Sequence, residues 1–110
     1  MTAQLACYAS DVPTGGTLRV ELEAETGTVE VAIVRDDDGE LHAISDICSH
    51  GAVSLSDGEV DGCTVECWLH GSRFDLRTGK PLGPPAVTPV PVYPVTLDGE
   101  RVLVDVDRTL

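Results

Sequence analysis

Eleven glycines and seven prolines are spread along a chain of 110 residues so evenly that few windows of twelve lack one. Glycine weakens a helix interior and proline breaks it, so long helices are excluded and the chain must be built from short extended pieces joined by turns. The apolar pattern agrees. In 17-TLRVELE-23, Leu18, Val20 and Leu22 alternate with Arg19, Glu21 and Glu23, the period of a half-buried strand. In 29-VEVAIVR-35, Val29, Val31 and Ile33 alternate with Glu30, Ala32 and Val34. The segment 36-DDDGE-40, with its Asp38-Gly39 signal, reads as a hairpin turn whose acidic side chains form a solvated tip, and 41-LHAI-44 returns. Near the end, 91-PVYPVTL-97, a turn at Asp98-Gly99 and 101-RVLVDV-106 predict a second hairpin, with Pro91 and Pro94 suited to an edge strand or its bulges.

Residues 45–90 differ. They hold paired Cys and His residues, the turn-rich 56-SDGEVDG-62 and the loop 83-GPPAVTP-89. Two β-rich flanks thus enclose a loop-rich insert, with no internal repeat, linker or domain boundary. The expectation is one domain over 1–110 with a single modest core, all-β in class, its small antiparallel sheets forming a sandwich or partly closed barrel.

Seven Lys+Arg against nineteen Asp+Glu give a formal charge of −12. Phosphate contacts need basic residues in excess, so this balance excludes a general nucleic-acid binder and argues against an anionic membrane surface as partner. No apolar run approaches the roughly 18 residues of a spanning helix, and the first residues lack a basic segment before an apolar one. A soluble cytoplasmic protein is expected.

The four cysteines are Cys7, Cys48, Cys63 and Cys67. Without an export signal, metal binding is the better reading of such a set than a pair of disulfides. Two of them sit in 48-CSH-50 and 67-CWLH-70, that is C-x-H, a gap of 16 residues, then C-x-x-H, with Gly51 and Gly71 directly after the histidines. Each half offers one thiolate and one imidazole. Tetrahedral zinc accepts two sulfurs and two nitrogens, but zinc knuckles pair Cys with Cys and His with His. The mixed pairing favours a [2Fe–2S] cluster in which two His replace two Cys on one iron. Cys48 and Cys67 would then hold the inner iron, and His50 and His70 the outer one.

At these residues the chain resembles the Rieske [2Fe–2S] proteins. The stretch 67-CWLHGSRFDLRTGKPLGPPA-86 is similar to the second ligand loop of the bacterial Rieske ferredoxins that serve ring-hydroxylating oxygenases, and the likeness extends over at least residues 29–106. The resemblance implies an antiparallel β-sandwich with an inserted cluster-binding subdomain, here about residues 45–90, one [2Fe–2S] cluster per chain, and no catalysis by the chain alone. It implies a monomeric one-electron carrier between a flavin-containing ferredoxin reductase and a terminal oxygenase. A ferredoxin of cluster assembly or general redox metabolism, a small subunit like that of nitrite reductase, and a zinc module are the alternatives.

Respiratory members of the family carry an extra Cys in each loop, joined as a disulfide. Val53 and Leu69 stand at those positions here, so that disulfide cannot form. Cys7 and Cys63 are expected to be buried thiols on strands, and His42 a structural or surface residue. High-potential relatives donate Ser and Tyr hydroxyls to the cluster. Ser72 matches the first, whereas Phe74 replaces the second and is equally suited to the core. The carboxylates of Asp46, Asp57, Glu59, Glu66 and Asp75 also disfavour reduction. Trp68 either joins Leu69 in an apolar docking rim or packs beneath its loop. Gly83-Pro84-Pro85 resembles the loop that covers the cluster. Arg73, Arg77 and Lys80 either make the side after the second ligand loop locally less negative, leaving docking there to apolar contact, or merely balance Asp75 and Glu66.

Overall fold

The computed structural model describes residues 3–49, 53–69, 71–84 and 86–110. Among them lie ten strands, two short 3-10 turns and no α-helix: β1 (Gln4–Tyr8), β2 (Thr17–Ala24), β3 (Gly27–Arg35), β4 (Leu41–Ser45), β5 (Val60–Asp61), β6 (Thr64–Glu66), β7 (Arg73–Asp75), β8 (Val92–Tyr93), β9 (Val95–Asp98) and β10 (Arg101–Val104). They form three antiparallel sheets in the orders β1-β10-β9, β2-β3-β4-β8 and β5-β6-β7. The fold class is the expected all-β one.

The β2-β3-β4-β8 sheet is the middle layer, and β3 shows why. Val31 and Ile33 pack with Cys7, Leu22, Val102 and Val104, whereas Ala32 and Val34 pack with Cys48, Leu55, Val65, Cys67 and Phe74. A strand covered on both faces needs apolar residues on both, which is why 31-VAIV-34 is a continuous apolar run. The same division separates Ala43 from Ile44 on β4 and Tyr93 from Val92 on β8. One core therefore joins the middle sheet to the β1-β10-β9 sheet, and the other joins it to the insert.

Two expectations need correction. The segment 91–97 is not one strand: β8 pairs with β4, but after Pro94 the chain changes sheets and β9 pairs with β10. Pro94 has no N–H to continue a ladder, and its carbonyl instead accepts the Asp105 N–H at 3.3 Å. The acidic hairpin tip is not wholly solvated either. Asp37 and Asp38 are exposed, but Asp36 is fully buried. Its Oδ1 accepts the backbone N–H groups of Asp38 and Glu40, each at 2.9 Å, so the carboxylate organises the turn from inside.

Gly79 joins the insert to the middle sheet. It has a φ of +77°, donates its N–H to Asp75, and its carbonyl accepts the Val90 N–H at 2.9 Å. A Cβ on this residue would stand 1.9 Å from the Val90 oxygen. Gly79→Ala thus combines a left-handed backbone penalty of about 1–2 kcal/mol with a clash against backbone, and we expect a loss above roughly 2 kcal/mol in denaturant unfolding. An unchanged midpoint would show that this turn relaxes freely.

Candidate metal centre

Two loops of the insert carry the cysteines of the Cys/His pairs. The first leaves β4 and turns back through an antiparallel bridge between Ile47 and Ser54, with the Cys48 N–H donating to Val53 at 3.0 Å. Asp46 anchors its base: its carbonyl accepts the Leu55 N–H at 2.6 Å and its Oδ1 the Ser56 N–H at 2.8 Å. The second loop closes the β6–β7 hairpin. There the Cys67 N–H donates to Ser72 at 2.6 Å, and the Gly71 N–H returns to the Cys67 carbonyl at 2.8 Å. Gly71 sits at φ +79°, so the residue after His70 needs the left-handed freedom of glycine.

The structure brings Cys48 and Cys67 into one core, where they are 3% and 0% exposed. His50, Gly51, His70 and Pro85 lie outside the described residues. Among the described residues no disulfide links cysteines. Val53 packs against the core and Leu69 is exposed.

A third segment ties the two loops together. The Ser72 Oγ accepts the Ala86 N–H at 3.1 Å, and the Ser49 hydroxyl donates to the Thr88 carbonyl. Ser72 is itself buried, and accepting from Ala86 does not use its hydroxyl proton. Phe74 is fully buried and takes the core role foreseen for it. Around these loops Ile47, Trp68, Leu69, Leu82 and Val87 are exposed, five of the nine large hydrophobics that are exposed among the described residues. Trp68, at 52% exposure, belongs to this rim and does not pack beneath its loop.

The charged residues divide. Arg73 pairs with Glu66 at 3.0 Å and donates to the Thr64 hydroxyl at 3.2 Å, so it balances a neighbour, while the Arg77 and Lys80 side chains are exposed. Asp46 is fully buried, and the Arg19 Nε lies 3.5 Å from its Oδ2.

Cys63 differs from expectation, whereas His42 takes a structural role, one of the two foreseen for it. Cys63 is half-buried in the turn between β5 and β6 and not on a strand, because the two-residue pairing Asp61↔Thr64 leaves Gly62 and Cys63 as the connection. Burial pushes its thiol up, against the lowering effect of Arg77. Cys7 is the buried thiol foreseen, and burial likewise raises it. His42 points inward, its Nε2 being 2.9 Å from Asp36 Oδ2 and 3.8 Å from Cys63 Sγ. Burial alone would raise the Asp36 carboxyl, but the hydrogen bonds from His42, Glu40 and Asp38 outweigh it and hold the group below its ordinary value. Part of this grouping was within reach of the sequence, since hairpin closure with Val34 opposite His42 brings residue 36 beside residue 42. Cys63, a long-range neighbour, carried no such signal.

Residues 2–94 match the Rieske [2Fe–2S] domain. The biphenyl dioxygenase ferredoxin subunit of Pseudomonas sp. (strain KKS102) is 45% identical over 109 residues, which is 98% of this chain and 95% of that one. The Sphingomonas yanoikuyae B1 ferredoxin superposes with a TM-score of 0.85 at 32% identity, covering 94% of this chain and 97% of that one. A complex of reduced oxygenase and oxidised ferredoxin in carbazole 1,9a-dioxygenase gives a TM-score of 0.84 at 31% identity, covering 98% of this chain and 96% of the matched one. The chain belongs to the Rieske [2Fe–2S] family. Within it, the chain is of the ferredoxin kind, an electron carrier and not a catalyst in its own right.

The donor set fits the family's [2Fe–2S] group. Two thiols lie in one dry core on separate loops, as a thiolate-held cluster shielded from water requires. No helix among the described residues is long and apolar enough to cross a membrane.

Proposed function

We propose that Cys48, His50, Cys67 and His70 hold one [2Fe–2S] cluster, and that the chain carries electrons from a flavin-containing reductase to a terminal oxygenase. The observation behind this is the pair of buried cysteines on two cross-linked loops, ringed by exposed apolar side chains. On this reading residues 1–110 are one domain, about 45–90 being its cluster-binding part, and the protein works as a cytoplasmic monomer. The cluster supplies a single electron that can be gained and given up. The chain's own residues do the rest. Cys48 and Cys67 anchor from the dry side, where no competing water reaches the thiolates. Ser72 has a hydroxyl proton to offer towards sulfur, whereas Phe74 has none. The Ser49 and Ser72 hydrogen bonds hold the covering segment across both loops, fixing the shape of the rim that meets a partner.

The reading is tested by following electron delivery from reductase through ferredoxin to oxygenase while salt is raised. At a charge of −12, encounter with a basic partner patch is steered at long range. Screening shortens the Debye length from about 10 Å at 0.1 M salt to about 3 Å at 1 M, so the rate should fall. Leu69→Asp should slow delivery further at every salt concentration without changing iron content. A rate insensitive to both salt and Leu69 would contradict this docking account.

The potential follows from the same residues. Rieske centres span about −150 to +300 mV, and hydrogen bonds to sulfur raise the value. Lacking a hydroxyl at Phe74 and the disulfide at Val53 and Leu69, the protein should fall in the lower half of that range. Phe74→Tyr should raise the midpoint in a redox titration, and a wild-type value in the upper half would refute the donor count.

A further inference from the structure

We propose that Asp36, His42 and Cys63 form a second, mononuclear site for a divalent cation of the zinc type, separate from the cluster loops. One carboxylate oxygen, one imidazole nitrogen and one sulfur lie within 4.8 Å of one another. They come from three separate segments: the end of β3, β4, and the turn between β5 and β6.

Two of the three donors are held from behind. The two backbone N–H groups on Asp36 Oδ1 leave Oδ2 directed at His42. The Cys63 turn is fixed by the Leu76 N–H on the Cys63 carbonyl at 2.9 Å, and by the Gly62 N–H on the Asp37 carboxylate at 2.7 Å. Such supported donors characterise metal sites. His42 keeps a side-chain exposure of 12%, and an open depression of about 230 Å³ lies against it, lined also by Leu41, Leu76 and Arg77. The depression reaches the imidazole, while neither Asp36 nor Cys63 lines it.

A relay that activates the thiol does not fit. In a Cys–His–Asp relay the thiol and the carboxylate engage opposite ring nitrogens. Here both lie nearest the same atom, Nε2, at 3.8 and 2.9 Å. Three unlike donor atoms gathered within 4.8 Å of one another suit a cation instead. Zinc bonds of about 2.3 Å to sulfur and about 2.0–2.1 Å to nitrogen put S and N roughly 3.6 Å apart in a tetrahedron, close to the distance found. The Asp36–His42 separation would widen to roughly 3.4 Å, exchanging a hydrogen bond for two metal bonds. The imidazole proton moves to Nδ1 and the thiol proton to solvent. One carboxylate and one thiolate then neutralise a divalent charge, and water completes the fourth position.

The test dialyses the cluster-loaded protein against zinc(II) and counts zinc, iron and sulfide, with zinc-edge X-ray absorption on the product. The expected result is one zinc per chain at unchanged iron, with one sulfur neighbour at about 2.3 Å among lighter donors. Cys63→Ala and His42→Ala should each weaken uptake by at least the roughly 10–100-fold that losing an outer supporting group costs, while Cys7→Ala leaves uptake as it was. Absence of bound zinc, zinc that enters only as iron is lost, or a zinc shell without sulfur would overturn the proposal. Zinc held equally well by both ligand variants would do so too. The absorption measurement on the unaltered protein decides the matter even if a variant fails to fold.

Discussion

Cys67→Ala should give a colourless protein with no acid-labile sulfide and no electron transfer from reductase to oxygenase. Cys67 is fully buried at the tip of the β6–β7 hairpin, and its N–H and carbonyl both close that loop. The alanine keeps those backbone bonds, so the loop can still form. What is lost is one of the two thiols buried in that core, Cys48 being the other, while Cys63 packs only against its edge from the β5–β6 turn. The loss of electron transfer should be complete and not graded, because a carrier without its cluster has no state in which to hold the electron. Iron and sulfide analysis beside a far-ultraviolet spectrum separates this outcome from misfolding. Cluster retained at full occupancy in Cys67→Ala would remove Cys67 from the ligand set.

Phe74→Ala should be the most destabilising of the simple core truncations. Phe74 is the largest fully buried side chain, and it packs with Leu55, Val65, Leu76 and both loop cysteines. Truncating a buried Phe costs about 3–5 kcal/mol through lost transfer energy and the cavity left behind, a large share of the 5–15 kcal/mol that holds a domain of this size together. Because the cavity opens beside Cys48 and Cys67, cluster loss on warming should shift down with the unfolding transition. Denaturant unfolding with parallel absorbance checks this. A loss below about 1 kcal/mol would mean that the insert's core collapses around the gap.

The hairpins were legible in the sequence because alternation and turn residues are local signals. Leu18, Val20 and Leu22 face one way in β2 as their spacing requires, and Gly39 takes the positive φ of +88° that its turn needs. The change of sheet at Pro94 was not legible. A proline within a strand pattern announces a break in the ladder but not which sheet receives the next residues. The burial of Asp36 was hidden for a related reason: a run of three aspartates looks solvated until the loop closes and turns one carboxylate towards the backbone N–H groups of Asp38 and Glu40. At the metal centre, Cys48 and Cys67 stood out by motif spacing. The cross-links through Ser49 and Ser72 depend on residues 39 and 14 positions away, and a sequence offers no period for contacts of that kind.

The most direct measurement counts metal and sulfide in protein purified without oxygen and records the paramagnetic spectrum after one-electron reduction. The account predicts two irons and two acid-labile sulfides per chain, and a spectrum of a cluster ligated by both nitrogen and sulfur that His70→Cys changes. Protein lacking sulfide, with zinc as its sole metal, or a spectrum identical in the His70→Cys variant, would contradict it.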